Sequence, residues 1–108
     1  MTHAPIGLGA TTEWLNILEI GNKAIAAAGT AERVVTAKAA GLLIIQNSNG
    51  NSTNVIIGNA DALYGVAATR KGIVLEPGQT ITLPVRQTDS VYADVETSGN
   101  RLLYMLLG

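Results

Sequence analysis

The sequence predicts an all-β fold, a single β-sandwich of about seven to eight short strands, and its last third predicts this most directly. Residues 79–85, 90–96 and 101–107 are strand-like runs in which side chains separate with a period of two. Two turn signals flank these runs. One is Glu76-Pro77-Gly78-Gln79, which fits a type II turn, and the other is Ser98-Gly99-Asn100. Short strands at such close, even spacing are typical of a sandwich or jelly roll.

Residues 1–29 are predicted to form an N-terminal arm with a short helix. Residues 1–12 contain proline and glycine without periodicity, which is typical of a flexible arm. A strand through Leu15, Ile17 and Glu19 is the alternative for the segment that follows. The helix is predicted over residues 13–29 by an apolar stripe at helical spacing, formed by Trp14, Ile17, Leu18 and Ile25.

Residues 30–108 are predicted to form the sandwich body, and a chain of 108 residues is long enough for one such domain. The polar loop at residues 47–52 is predicted to join its neighbouring strands as a hairpin. Pro84 cannot donate to a strand ladder, so its strand is predicted to lie at an edge or a bulge. The predicted strands cover residues 31–37, 42–46, 53–58, 72–75, 79–85, 90–96 and 101–107.

The composition narrows the partners that this chain is expected to have. The formal net charge is −1 and no basic stripe is present, which argues against nucleic-acid binding. Charged residues make up only 14% and apolar residues 47%, which favours a surface that a protein partner covers. No signal peptide begins the chain and no apolar run is long enough for a membrane helix, so no membrane contact is expected.

The side chains that catalysis needs are scarce, so we expect no enzyme activity. His3 is the only histidine and lies in the predicted arm, where it cannot be held beside a nucleophile. Asp94 and Glu96 share one face of a strand, as paired carboxylates sometimes do, and we interpret them as a solvated face. No catalytic residue, cofactor, metal site or small-molecule substrate is predicted.

The last strand is apolar on both faces. Leu102, Tyr104 and Leu106 occupy one face, and a sandwich buries only one face of each strand. The other face must then meet a second subunit, a partner protein or the N-terminal segment of the same chain. We predict that it forms an oligomer interface through Leu103, Met105 and Leu107.

The junction between arm and body carries a cluster that we predict to bind a partner. Trp14 is the only tryptophan, and tryptophan is enriched in interface hot spots, although packing within the chain is the alternative. The predicted partner-binding residues are Trp14, Leu15, Ile17 and Leu18.

The order of short motifs resembles that of small β-proteins from the virions of tailed bacteriophages. The motifs are Leu43–Gln46 followed by Asn47, then Val55-Ile56-Ile57-Gly58, then residues 72–80 (GIVLEPGQT), then residues 89–93 (DSVYA). The resemblance covers residues 30–108 and is closest to capsid decoration, or cement, proteins. It implies a jelly-roll or sandwich body and a structural role.

The function that this resemblance implies is binding to the outside of an icosahedral capsid, where the chain stabilises contacts between capsid subunits. The implied partners are the major capsid protein and further copies of the chain, as a dimer or trimer. The implied location is the capsid exterior, after assembly in the host cytoplasm. The alternative is a carbohydrate- or receptor-binding module of a phage tail or fibre, using the loops at residues 47–52 and 59–71.

Overall fold

The structure is a computed structural model that describes residues 15–108 of the chain. The described part is all-β, as predicted, with eight strands in two four-stranded antiparallel sheets. The strands are β1 (Ile17–Ala24), β2 (Glu32–Thr36), β3 (Gly41–Asn47), β4 (Val55–Gly58), β5 (Ile73–Leu75), β6 (Thr80–Val85), β7 (Ser90–Val95) and β8 (Arg101–Leu107).

The two sheets have the strand order of a jelly roll. Sheet A has the order β1-β8-β3-β6 and sheet B has the order β2-β7-β4-β5. The connection between β4 and β5 stays within sheet B, whereas the other connections between consecutive strands cross from one sheet to the other. The predicted fold class is therefore confirmed.

The core lies between the sheets and is built from aliphatic side chains, since the chain contains no phenylalanine. Sheet A contributes every second residue of its central strands, including Leu43 and Ile45 of β3 and Leu102 and Leu106 of β8. Sheet B contributes the matching positions, such as Val55, Ile57, Val91, Ala93 and Val95. This alternation fixes which side chains of each strand point away from the core.

The first strand corrects the helix predicted over residues 13–29. Residues 17–24 form β1, which pairs with β8 along its length, so the strand that was the alternative interpretation is correct there. A shift in register between Ile17 and Glu19 marks a β-bulge that changes the phase of the apolar residues. Because of the bulge, Leu18 packs against the core while the neighbouring Ile17 points outward. Two adjacent apolar residues in a strand therefore gave the sequence the apolar spacing of a helix.

Because β1 is part of sheet A, the sandwich begins before residue 30, where the sequence placed the boundary of the body. Gly21 lies at the middle of β1, opposite Tyr104, and a side chain there would collide with the tyrosine ring. Glycine would weaken a helix at this position, whereas in the strand it makes room for the ring. Residues 1–14 of the predicted arm lie outside the described residues.

Two further predictions concern connections and edges. The loop at residues 47–52 does not close a hairpin, because β3 lies in sheet A and β4 in sheet B. A polar, turn-forming composition suits either role, so the sequence could not distinguish them. Pro84 is in β6, which is an edge strand of sheet A, as predicted.

Candidate interaction surface

The side of sheet A that faces away from the core is the candidate interaction surface, called here the outer face. Its residues form three rows that run across the four strands, because paired residues of antiparallel strands point the same way. The rows, in the order β1, β8, β3, β6, are Ile17-Leu107-Leu42-Pro84, Ile20-Met105-Ile44-Thr82 and Asn22-Leu103-Gln46-Thr80.

The three rows carry no charged residue, and their apolar side chains other than the buried Leu42 are partly open to solvent. Beyond the third row, Arg101 lies on the same side of β8 and donates a hydrogen bond of 3.2 Å to Asn22. Ile17 is 65% exposed, Ile20 69% and Leu103 37%, while Met105, Leu107 and Ile44 are half-buried. Polar side chains concentrate in the third row and on β6. A contiguous apolar surface without charge is typical of the centre of a protein interface.

The predicted oligomer-interface residues Leu103, Met105 and Leu107 all lie on the outer face. Ile17, from the predicted partner-binding set, pairs with Leu107, so the structure brings members of the two predicted sets together. Leu15 precedes β1 and is half-buried.

Leu18 is the exception in the partner-binding set. Its side chain packs against the core cluster because of the bulge in β1, so it is not available to a partner. Trp14 lies outside the described residues.

Ile20 is the residue that the sequence interpretation missed. It is the most exposed large aliphatic side chain of the described residues and occupies the middle row of the outer face. The helical interpretation of residues 13–29 assigned it no face. Reading the same stretch as a strand with period two would have placed Ile20 and Asn22 together.

Polar side chains of β1 form contacts along the open edge between the two sheets. Glu19 and Lys23 lie on the inward side of this edge strand, since they pair with the buried Leu106 and Leu102. Lys23 forms an ion pair of 3.0 Å with Glu32 at the start of β2, which joins the two sheets. Contact with Lys23 is the largest cause that lowers the pKa of Glu32.

Glu19 has two partners. It accepts a hydrogen bond of 2.6 Å from the Tyr104 hydroxyl and forms an ion pair of 3.3 Å with Lys38. The hydroxyl contact is the main cause that lowers the pKa of Glu19, and Lys38 adds to it. The same carboxylate raises the pKa of Tyr104 to about 12, with burial adding to the shift.

Sheet B differs from sheet A because loops cover its outer side. Ile56 and Asp94 point away from the core there, yet both are fully buried. Asp94 accepts hydrogen bonds from the backbone N–H groups of Gly29 at 2.9 Å and Tyr64 at 2.8 Å. The solvated role predicted for Asp94 is therefore wrong: this carboxylate anchors two loops to the sheet, while Glu96 is exposed.

The loop at residues 59–71 also forms a groove next to Asp94. Arg70 stacks on the ring of Tyr64, with its guanidinium carbon 3.9 Å from the ring centre, and donates a hydrogen bond of 2.8 Å to the Tyr64 carbonyl. Val66 on the rim is 67% exposed. The groove, about 580 Å³ in volume, is open and is lined by Ala28, Gly29, Tyr64, Gly65, Val66, Ala67, Arg70, Val95 and Glu96.

The polar loop at residues 47–52 uses much of its hydrogen-bonding capacity within the fold. The buried Asn47 amide donates to the carbonyls of Thr53 and Leu75 at 3.1 and 2.9 Å, and so ties the end of β3 to sheet B. Asn51 donates to the Asn47 side chain and to the Arg101 carbonyl. Fewer of these groups are therefore free to bind a ligand than the sequence suggested.

Residues 15–108 contain no group of three or more His, Cys, Asp or Glu side chains placed to hold a metal ion. In that same range, no helix has the length and apolar character needed to cross a membrane. No protein-family model, curated protein or solved structure matches the chain.

Proposed function

We propose that this chain is a structural virion protein that binds the outside of an icosahedral phage capsid and stabilises contacts between capsid subunits. The outer face of sheet A carries this proposal, because its three rows hold no charged residue and expose Ile17, Ile20 and Leu103, which suits a small sandwich that works by assembling with copies of itself on a larger structure. The order of motifs in residues 30–108, which resembles that of capsid decoration proteins, adds support.

In this role the jelly roll holds the binding surfaces in place, and the protein acts by binding the shell. Leu15, which precedes β1, marks the end of the sandwich at which the chain meets the major capsid protein, and Ile17 lies where this end borders the outer face. Trp14, the residue before Leu15 in the sequence, belongs to the same predicted partner-binding set. Many copies that bind only the assembled shell stabilise it by mass action, since each bound copy lowers the free energy of the assembled state. An oligomer that attaches through several subunits gains avidity without one strong contact.

The alternative is a carbohydrate- or receptor-binding module of a phage tail or fibre. The groove beside Arg70 and Tyr64 favours it, because an aromatic ring with a fixed cation suits a polar ligand. The internal hydrogen bonds of Asn47 and Asn51 weaken it, because they occupy the other loop that this role would use. Binding to a glycan array that Tyr64→Ala removes would support the alternative.

The copy number of this chain in purified particles from its source tests the proposal. Quantitative mass spectrometry against the major shell protein should give hundreds of copies in a simple ratio. A handful of copies per particle would favour the tail or fibre module, and absence from the particles would refute both virion roles.

A further inference from the structure

We infer that the outer face of sheet A packs against the same face of a second copy of this chain, around a two-fold axis. This inference goes beyond the proposed function, because it concerns the free protein in solution and does not require a virion. It assigns one occupant to a surface on which the side chains of Ile17 and Ile20 are 65% and 69% exposed.

The absence of charge from the three rows makes this part of the outer face compatible with itself. In a two-fold pair, each patch meets an identical patch, so any charged residue near the axis would face a like charge. The three rows contain none, and their polar members lie along the third row and on β6. The nearest charge, Arg101, lies beyond the third row, where it bonds Asn22. The apolar corner of Ile17, Ile20, Met105 and Leu107 can thus meet its own copy without electrostatic cost.

The edges of the sheets favour pairing through a face over pairing through strands. Natural sheets discourage strand addition with bulges, proline, very short strands and inward-pointing charges. Here β1 has a bulge with the inward Glu19 and Lys23, and β2 also has a bulge. On the other side β6 contains Pro84 and β5 has only three residues. These features protect the edges of both sheets, whereas the exposed apolar side chains of β1 and β8 on the outer face remain open to contact.

The size of the face predicts the strength of pairing. Four strands about 4.8 Å apart and three rows about 6.7 Å apart give a projected area of roughly 400 Å² per copy. Two copies would bury on the order of 800–1,200 Å², which is the range of weak, reversible complexes. We therefore expect a dimer with a Kd on the order of micromolar, and two sheets about 10 Å apart.

Sedimentation velocity of the full chain from about 1 to 500 μM tests this inference, with two matched variants. Ile20→Glu places a carboxylate on the outer face, where a dimer would have to bury it without a partner. Ile73→Glu makes the same change at a strand residue of sheet B that is 58% exposed. Both substitutions are at exposed positions, and circular dichroism checks that each variant keeps the fold.

We expect the wild type and Ile73→Glu to form a dimer as concentration rises. Ile20→Glu should remain a monomer, with self-association weakened about a hundredfold or more. A wild type that stays monomeric at the highest concentration would overturn the inference. If Ile20→Glu then also had a lower Tm than the wild type, the result would indicate that residues 1–14 of the same chain cover the face. A trimer, or a dimer that Ile20→Glu leaves intact, would overturn it as well. These outcomes are independent of the copy number in particles.

Discussion

Replacing Asp94 with alanine should lower the free energy of unfolding by about 3 kcal/mol, the largest loss that we expect from any single polar substitution. The carboxylate is fully buried and accepts hydrogen bonds from the N–H groups of Gly29 and Tyr64. Hydrogen bonds to a charged acceptor contribute about 1.5–3 kcal/mol each, and partial release of the two loops to water limits the total loss. For a domain of this size the Tm should fall by roughly 10–25 °C.

Glu96→Ala is the matched control for Asp94→Ala. Glu96 points to the same side of sheet B two residues later, but it is exposed and accepts one hydrogen bond of 3.1 Å, from Asn54. Its loss should cost less than about 1 kcal/mol. Thermal unfolding of both variants measures the two losses of stability. Hydrogen exchange should show faster opening of residues 59–71 only in Asp94→Ala. Equal Tm values for the two variants would contradict the anchoring role of Asp94.

Tyr104 should titrate about two pH units above an ordinary tyrosine, which is roughly a hundredfold change in proton affinity. The hydrogen bond to Glu19 is the main cause of its pKa of about 12. Because the pKa is higher in the folded state, the stability that this contact gives is complete below pH 10 and is lost as the pH rises through about 12. Glu19 has the opposite shift, so its contribution is present above its ordinary pKa near 4.5 and is lost as the pH falls through its lower folded value.

Ultraviolet titration of the wild type against Tyr104→Phe isolates the signal of this tyrosine. The difference between them should appear near pH 12, and Glu19→Gln should move it down, because the substitution removes the charge that opposes ionisation of the phenol. A difference signal near pH 10 in the wild type would show that the contact between Tyr104 and Glu19 is absent in solution.

Local patterns predicted the second half of the fold because its strands obey local rules. β6, β7 and β8 follow the period of two and are bounded by turns such as the one at Pro77 and Gly78, where glycine takes a positive φ of 83°. The outward set Leu103, Met105 and Leu107 followed from the same alternation. Only the period and the turn chemistry were needed for these assignments.

The remaining features depend on contacts between residues that are far apart in the sequence. A bulge shifted the phase of β1, so Ile17 and Leu18 were interpreted as one helical stripe and Ile20 was missed. The burial of Asp94 depends on N–H groups that lie 65 and 30 residues away. Alternation correctly placed Asp94 on the side of sheet B opposite the core, but it could not show that a loop covers this side.

The central claim is that the outer face of sheet A serves assembly on a shell, and a binding assay with matched variants tests it most directly. The wild-type chain, Ile20→Glu and Ile73→Glu would be mixed with expanded shells that lack this chain, and binding would be measured by cosedimentation. We expect the wild type and Ile73→Glu to saturate in a simple ratio to the shell protein. Ile20→Glu should bind at least about tenfold more weakly, because it cannot pair through the outer face and so loses the avidity of a pair. Binding of Ile20→Glu equal to that of the wild type would contradict the account.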